Sequence, residues 1–376
     1  MRVAVAIDSF KGCLTTLEAG EAVRCGILSA CPTADVRVYP VADGGEGTVE
    51  AVVRGTGGRF VQTVVSDPLS RPVLAAYGIL PDGKTAVIEM SAAAGITLLT
   101  EEERNPLYTT TYGVGELILH AIRENGCREF IIGIGGSATN DGGVGMLSAL
   151  GYAFLDREGR EIARGAAGLA DLAEIRAENI APELSECRFS VACDVKNPLC
   201  GENGCSAVYG PQKGATSETV WQMDAWLSHY AALTPHKDPD APGAGAAGGM
   251  GFAFLAYLGG RLVSGIDLVT EAVGLTEAVK EADFVVTGEG RLDGQSCMGK
   301  APVGVATLAK AHKKTVIAFS GAVSEDAGAL NRYGIDAFFP ILRAPCTLDE
   351  AISPENAKRN LKNTAEQVFR LLAALV

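Results

Sequence analysis

Histidine is scarce in this chain, with four among 376 residues. None of the ten cysteines forms a Cys-x-x-Cys pair; Cys200 and Cys205 are five apart in Cys-Gly-Glu-Asn-Gly-Cys, and no second pair has metal-ligand spacing. Zinc sites draw on two such groupings or on paired histidines. A zinc site is therefore not expected, and the thiols read as reduced groups of a cytoplasmic protein. Surplus positive charge is missing too: the formal net charge is −13, which argues against nucleic acid or an anionic membrane as partner. No apolar run approaches the ~18 residues of a bilayer span. The opening residues read as a strand leading directly into a polar motif, so no signal peptide is expected. A Gly-x-Gly-x-x-Gly fingerprint after the first strand is also lacking, which disfavours a dinucleotide enzyme. Glycine, by contrast, is plentiful. Its 46 residues exceed the ~7% typical share and are spread through loops, as many tight strand-to-helix turns require.

The most informative glycine segment is Gly135-Gly136-Ser137-Ala138-Thr139-Asn140-Asp141-Gly142-Gly143. It follows a β-branched apolar run at 130–134 that reads as a buried strand, and precedes a helix-compatible stretch at 144–150. A strand, a glycine loop and a helix N-terminus together aim backbone N–H groups at an anion. Asn140 and Asp141 are equally good helix caps, so one such loop decides nothing. Recurrence decides more. Similar segments stand at Asp8-Ser9-Phe10-Lys11-Gly12, Ala42-Asp43-Gly44-Gly45-Glu46-Gly47-Thr48 and Cys193-Asp194-Val195-Lys196-Asn197-Pro198-Leu199. Others are Gly210-Pro211-Gln212-Lys213-Gly214-Ala215 and Thr287-Gly288-Glu289-Gly290-Arg291-Leu292-Asp293. Acids and cations flanked by glycine at several strand ends suit a large, highly charged ligand beyond the carboxyl edge of an α/β sheet.

Both chain ends alternate strand and helix, which points to a parallel sheet. Strands are expected at 3–7, 36–39, 284–287, 315–320 and 337–341, with helices at 17–30, 48–53, 303–312 and 354–372. Between them the style changes. Strand-like runs at 60–65, 73–80 and 86–90 follow in quick succession, with a Pro81-Asp82-Gly83 turn. The stretch 243–260 reads as a helix packed closely on a sheet. The fold class is α/β in two domains: a Rossmann-like parallel-sheet domain at 1–65 plus 280–376, and an inserted mixed α/β domain at 66–279.

Taken together, these segments closely resemble the bacterial-type glycerate kinases, over essentially the whole chain from Asp8-Ser9-Phe10-Lys11-Gly12 to Gly299-Lys300-Ala301-Pro302. The resemblance implies the same two-domain architecture with the active site in the cleft between domains. It also implies ATP and Mg²⁺ as cofactors and D-glycerate as substrate. The product implied for most members is 2-phosphoglycerate, with 3-phosphoglycerate left open. A kinase of another small hydroxy acid or polyol is the nearest alternative; a non-catalytic nucleotide or phosphometabolite sensor is the alternative from another class. The abundance of acids favours Mg²⁺-dependent catalysis over a sensor. Oligomeric state is not legible.

Phosphoryl transfer calls for positioning, cations on developing charge, carboxylates for Mg²⁺ and an acceptor for the hydroxyl proton. Asp194, ending a strand beside Lys196 and Asn197, is the expected proton acceptor, with Asp293 as the next candidate. Lys11 and Arg291 are expected on the glycerate carboxylate and the transferred phosphoryl; Asp43 and Glu289 are expected on the metal. Substrate and nucleotide contacts are expected from Asp8, Ser9, Gly44 and Gly45, and from Gly136, Ser137, Thr139, Asn140 and Asp141. Lys196, Asn197, Gln212, Lys213 and Lys300 complete the set. The segment 294–301 approaches a Walker A pattern, but Ala301 stands where the Mg²⁺-binding Ser or Thr belongs. Lys300 can still reach a phosphate, since Pro302 suits a first helical turn whose positive end lies nearby.

Overall fold

A computed structural model describes residues 1–42, 44–45, 47–235, 238–294, 296 and 300–375. In chain order the strands are β1 (Arg2–Val5), β2 (Asp35–Val38), β3 (Arg59–Ser66), β4 (Pro72–Ile79), β5 (Thr85–Glu89), β6 (Glu129–Gly133) and β7 (Ala153–Leu155). They continue as β8 (Glu174–Arg176), β9 (Arg188–Ala192), β10 (Arg261–Val263), β11 (Phe284–Leu292), β12 (Thr315–Val323) and β13 (Ala337–Pro340). The chain forms two compact units. One comprises Met1–Asp43, Arg54–Thr56 and Ile266–Val376; the other comprises Gly44–Val53 and Gly57–Gly265.

The first unit carries a sheet ordered β13-β12-β11-β1-β2, parallel throughout. Its central strands are apolar over residues 3–5, 284–286 and 316–319, as a sheet buried on both faces requires. The helices Thr16–Ala30 and Pro354–Leu375 cover one face, where Val23, Ile27, Leu361 and Phe369 join Val3, Val5, Val286 and Ile317 in one core. The other face receives Leu275–Glu281 and Ala301–Ala311, with Val305, Ala306 and Ala309 buried. Thr15 and Glu18 cap the first helix reciprocally, which fixes where the chain turns after β1. The connection from β1 to β2 thus crosses one face, and that from β11 to β12 crosses the other. Neighbouring strands whose connections diverge this way open a crevice at their carboxyl ends. Here that crevice lies between β1 and β11.

One sequence expectation changes at this point. The polar segment after Val286 was expected as a loop, yet β11 runs on to Leu292, with Arg291 paired to Ala322 and Leu292 to Val323 of β12. Gly288 makes this continuation feasible. A Cβ at that position would lie 1.9 Å from the Phe319 carbonyl oxygen, so only glycine lets the two backbones approach.

The second unit carries a mixed sheet ordered β10-β9-β6-β5-β4-β3. Its strands β5, β6, β9 and β10 are parallel, whereas β3, β4 and β5 pair antiparallel. Asp82 closes the β4–β5 turn by accepting from the Lys84 and Thr85 N–H groups at 2.9 Å each. Strands β7 and β8 form a separate ribbon. Phe130 and Phe189 stack at 4.9 Å between ring centroids within the core. Because β3 pairs with β4 along its whole length, residues 57–65 fall in this unit rather than with the chain start. The first unit resumes at Ile266, ahead of the expected 280. The stretch 243–260, expected as a helix packed on a sheet, forms the helix Ala246–Tyr257. Its start passes through left-handed conformations at Ala247, Gly248 and Gly249. No helix of the described residues is long and apolar enough to cross a membrane.

Candidate active site

Beyond the carboxyl ends of β1, β11, β12 and β13, the first unit holds a cavity of about 410 Å³. Seven residues singled out from the sequence line it: Asp8, Ser9 and Lys11 after β1, Glu289 and Arg291 on β11, and Asp293 and Lys300 after it. Three cations and three carboxylates therefore share one crevice. Arg291 Nε lies 3.5 Å from Asp293 Oδ2, and Lys300 Nζ lies 4.0 Å from Glu289 Oε2. Asp8 Oδ1 accepts from the Ser9 N–H at 2.6 Å. Lys300 is the residue before the helix Ala301–Ala311, and Pro302 occupies its first turn. The positive end of that helix dipole thus falls at the Lys300 backbone.

Glu289 is nearly buried, and burial pushes its carboxyl above the usual carboxylate range; the Ser296 hydroxyl and the Lys300 charge oppose the rise. Ser296 Oγ donates to Glu289 Oε1 at 2.5 Å and accepts from the Asp293 N–H at 3.2 Å. This serine stands inside the near-Walker stretch, where only the lysine had drawn notice. Asp43, expected on the metal, lies outside the described residues, as do residues 295 and 297–299 of that stretch.

The second unit gathers another group at the carboxyl ends of β6 and β9. Gly136 is exposed and Ser137 is half-buried, but Thr139, Asn140 and Asp141 are fully enclosed by protein. Those three were expected as ligand contacts; here their side chains are enclosed, and among the described residues Thr139 Oγ1 and Asn140 Oδ1 have no hydrogen-bond partner. The Asp141 carboxylate accepts from the N–H groups of Thr111, Gly143 and Gly145 at 2.8, 3.1 and 3.2 Å, and from the Thr111 hydroxyl at 2.9 Å. Burial pushes this carboxyl up against the pull of those donors. Asn140 Nδ2 donates to Ser206 Oγ at 2.8 Å. The Gly142 N–H donates to the Gly248 carbonyl at 2.9 Å, and a Cβ on Gly248 would lie 2.1 Å from the Thr139 carbonyl oxygen. The left-handed turn of Gly248 is what lets the two loops dock. The signal missed in the sequence is Thr109-Thr110-Thr111, three buried threonines in a row whose hydroxyls and amide hold this loop.

Lys213, likewise expected on a nucleotide, is also buried. Its ammonium donates to Ser137 Oγ and to the Thr139 carbonyl, both at 2.7 Å. Burial lowers its pKa to about 8. Gln212 beside it is exposed. Asn197 is engaged at both ends, donating to the Asn203 carbonyl at 2.8 Å and accepting from the Tyr209 hydroxyl at 2.7 Å. Asp194 and Lys196 are exposed beyond β9, and Asp194 Oδ1 accepts from the Gly265 N–H at 3.1 Å. Gly44 and Gly45 precede the helix Thr48–Thr56, and the Thr48 hydroxyl donates to the Gly45 carbonyl at 2.7 Å.

A parallel-sheet crevice with clustered cations and acids is suited to binding and polarising an anionic group. Known proteins agree in kind. The family model described as "Glycerate kinase family" matches residues 3–373. A glycerate kinase of Haemophilus influenzae is 48% identical, with 99% of each chain covered. A glycerate 2-kinase of Escherichia coli is 47% identical, with 97% of each covered. A crystal structure from Salmonella typhimurium LT2 that bears the name glycerate kinase 2 superposes with a TM-score of 0.91 at 46% identity, covering all of this chain and 98% of that one. By motif, fold and these likenesses, the chain belongs to the glycerate kinase family.

Proposed function

We propose that this protein transfers the γ-phosphoryl group of ATP, with Mg²⁺, to the 2-hydroxyl of D-glycerate. Family membership makes the chain a kinase, a phosphotransferase with an alcohol acceptor. The observation that carries the finer reading is the cavity of about 410 Å³ in which Lys11, Arg291 and Lys300 face Asp8, Glu289 and Asp293. A phosphoryl group in flight spreads charge over its peripheral oxygens, and fixed cations stabilise that charge. Lys11 and Arg291 are assigned to those oxygens and to the glycerate carboxylate. Lys300, at a helix N-terminus, is assigned to the phosphate chain.

Mg²⁺ takes hard oxygen donors, usually one or two carboxylates together with phosphate oxygens. Among the described residues no group of three His, Cys, Asp or Glu side chains is placed to hold a metal by itself. One or two of the carboxylates of Asp8, Glu289 and Asp293 would suit the sparser magnesium pattern, and Asp43 remains a proposed ligand. When bound, the ion neutralises phosphate charge. Asp194 is the proposed acceptor of the hydroxyl proton. It is exposed at the end of β9, and the Gly265 N–H fixes one carboxylate oxygen. Support for the 2-hydroxyl is the name of the Escherichia coli relative.

The test is ADP release across a panel of D-glycerate, L-glycerate, glycerol and other small hydroxy acids, with and without Mg²⁺. D-Glycerate with Mg²⁺ should give the highest kcat/KM. A higher value for glycerol, or turnover unaffected by chelation, would sink the proposal.

A further inference from the structure

The charged residues account for only part of the cavity. The remaining wall comes from the end of β13 and the segment after it, and it is aliphatic: Ile341, Leu342, Leu348, Ala351 and Ile352. The helix Leu348–Ile352 is short but firmly placed, because Thr347 and Glu350 cap it reciprocally. Leu348, Ala351 and Ile352 stand at positions i, i+3 and i+4, so that one face of the turn meets the cavity. Three of these side chains are large, apolar and exposed: Leu342 at 40%, Leu348 at 73% and Ile352 at 42%. Isolated exposed leucines need no explanation, but a group of them rimming one concave site does.

A three-carbon hydroxy acid would fill only a fraction of about 410 Å³ and has no apolar face to offer this wall. The ligand that matches the whole lining is amphiphilic, with a flat, weakly polar ring at one end and several negative charges at the other. We propose that Leu342, Leu348 and Ile352 seat the base of the nucleotide, whose phosphates then extend toward Lys11, Arg291 and Lys300. This rests on the kinase reading above and adds to it the position of the nucleotide within the first unit.

The experiment uses the full-length protein and two probes, ATP and inorganic tripolyphosphate, which carries the charge without the base. Calorimetric affinities are measured for wild type, Leu348→Ser and Ile352→Ser, with circular dichroism to verify folding. Loss of one apolar contact should weaken ATP about tenfold while the tripolyphosphate affinity stays within a factor of two. Leu348 is mostly exposed, so Leu348→Ser keeps the test open if Ile352→Ser does not fold. Equal weakening of both probes, or unchanged ATP affinity in a folded variant, overturns the base seat. So does a variant that dissociates from an oligomer while binding ATP normally, which would make the wall a subunit interface. Absence of wild-type phosphorylation of any hydroxy acid would instead remove the kinase reading, and the two failures are thereby distinct.

Discussion

Ser296 Oγ donates to Glu289 Oε1 on one side of a nearly buried carboxylate, and Lys300 Nζ stands 4.0 Å from its Oε2 on the other. Both partners belong to the segment that follows β11, so the loop is tied to the strand end through one acid. Burial pushes this carboxyl above its usual range, and the Ser296 hydroxyl and the Lys300 charge offset part of that rise.

Glu289→Gln should therefore separate stability from activity. The folded-state pKa of Glu289 is raised above its ordinary 4.5, so its contribution favours folding below that value and is lost as pH rises through the folded pKa. At pH 7 the amide variant should melt higher than wild type, and the difference should close toward pH 4. Its kcat/KM should fall at least about tenfold, since a ligating or orienting charge is gone. Paired melting curves and kinetics across that pH range check both halves.

Lys11→Ala and Arg291→Ala should act on catalysis alone. Lys11 is exposed, and the Arg291 side chain is 69% accessible, so little packing is lost. Each should lower kcat/KM by about a hundredfold, or roughly 3 kcal/mol of transition-state stabilisation. Unchanged kinetics in either variant would remove that residue from the site, whatever its effect on melting.

Asp194→Asn tests the proton acceptor. Asparagine can still accept from the Gly265 N–H, so a merely structural aspartate predicts near-normal turnover. Loss of a base predicts a fall in kcat of about 10² or more with ATP affinity retained. Single-turnover phosphorylation and equilibrium ATP binding separate the outcomes; normal turnover would pass the role to Asp293.

Lys213 should show itself in stability at alkaline pH. Its folded pKa is lowered to about 8 from an ordinary 10.5, so its stabilising contribution is complete above the unfolded value and is lost as pH falls toward 8. Wild-type stability relative to Lys213→Met should be flat below pH 8 and rise from there to pH 10.5, by up to about 3 kcal/mol at ~1.4 kcal/mol per pKa unit. Denaturant titrations at matched pH values measure it. A flat difference across that range would show that the ammonium is not desolvated.

Much of this organisation was legible from residue order. The strand and helix periods at both chain ends pointed to a parallel sheet, which the structure shows. Segments far apart in sequence, around Lys11 and Arg291, could be grouped because polar residues at parallel strand ends converge on one edge. Burial was not legible. Thr139, Asn140, Asp141 and Lys213 carry the same chemistry as exposed ligand contacts, and only packing against Thr111, Ser206 and Gly248 shows that they are enclosed. The extension of β11 through Glu289 and Arg291 also escaped notice. Glycines at 288 and 290 read as loop formers when considered locally, whereas Gly288 serves close backbone approach to Phe319. The aliphatic cavity wall escaped notice as well, because Leu342, Leu348 and Ile352 look like ordinary scattered apolar residues until the fold brings them to one rim.

The most direct test of the central claim is phosphorus NMR of the product formed from ATP, Mg²⁺ and D-glycerate. Stoichiometric ADP and a single new phosphomonoester on carbon 2 are expected, with product formation strongly reduced in Arg291→Ala. A phosphomonoester on carbon 3 would contradict the assigned hydroxyl. ADP appearing without any phosphoglycerate would contradict the assigned reaction itself.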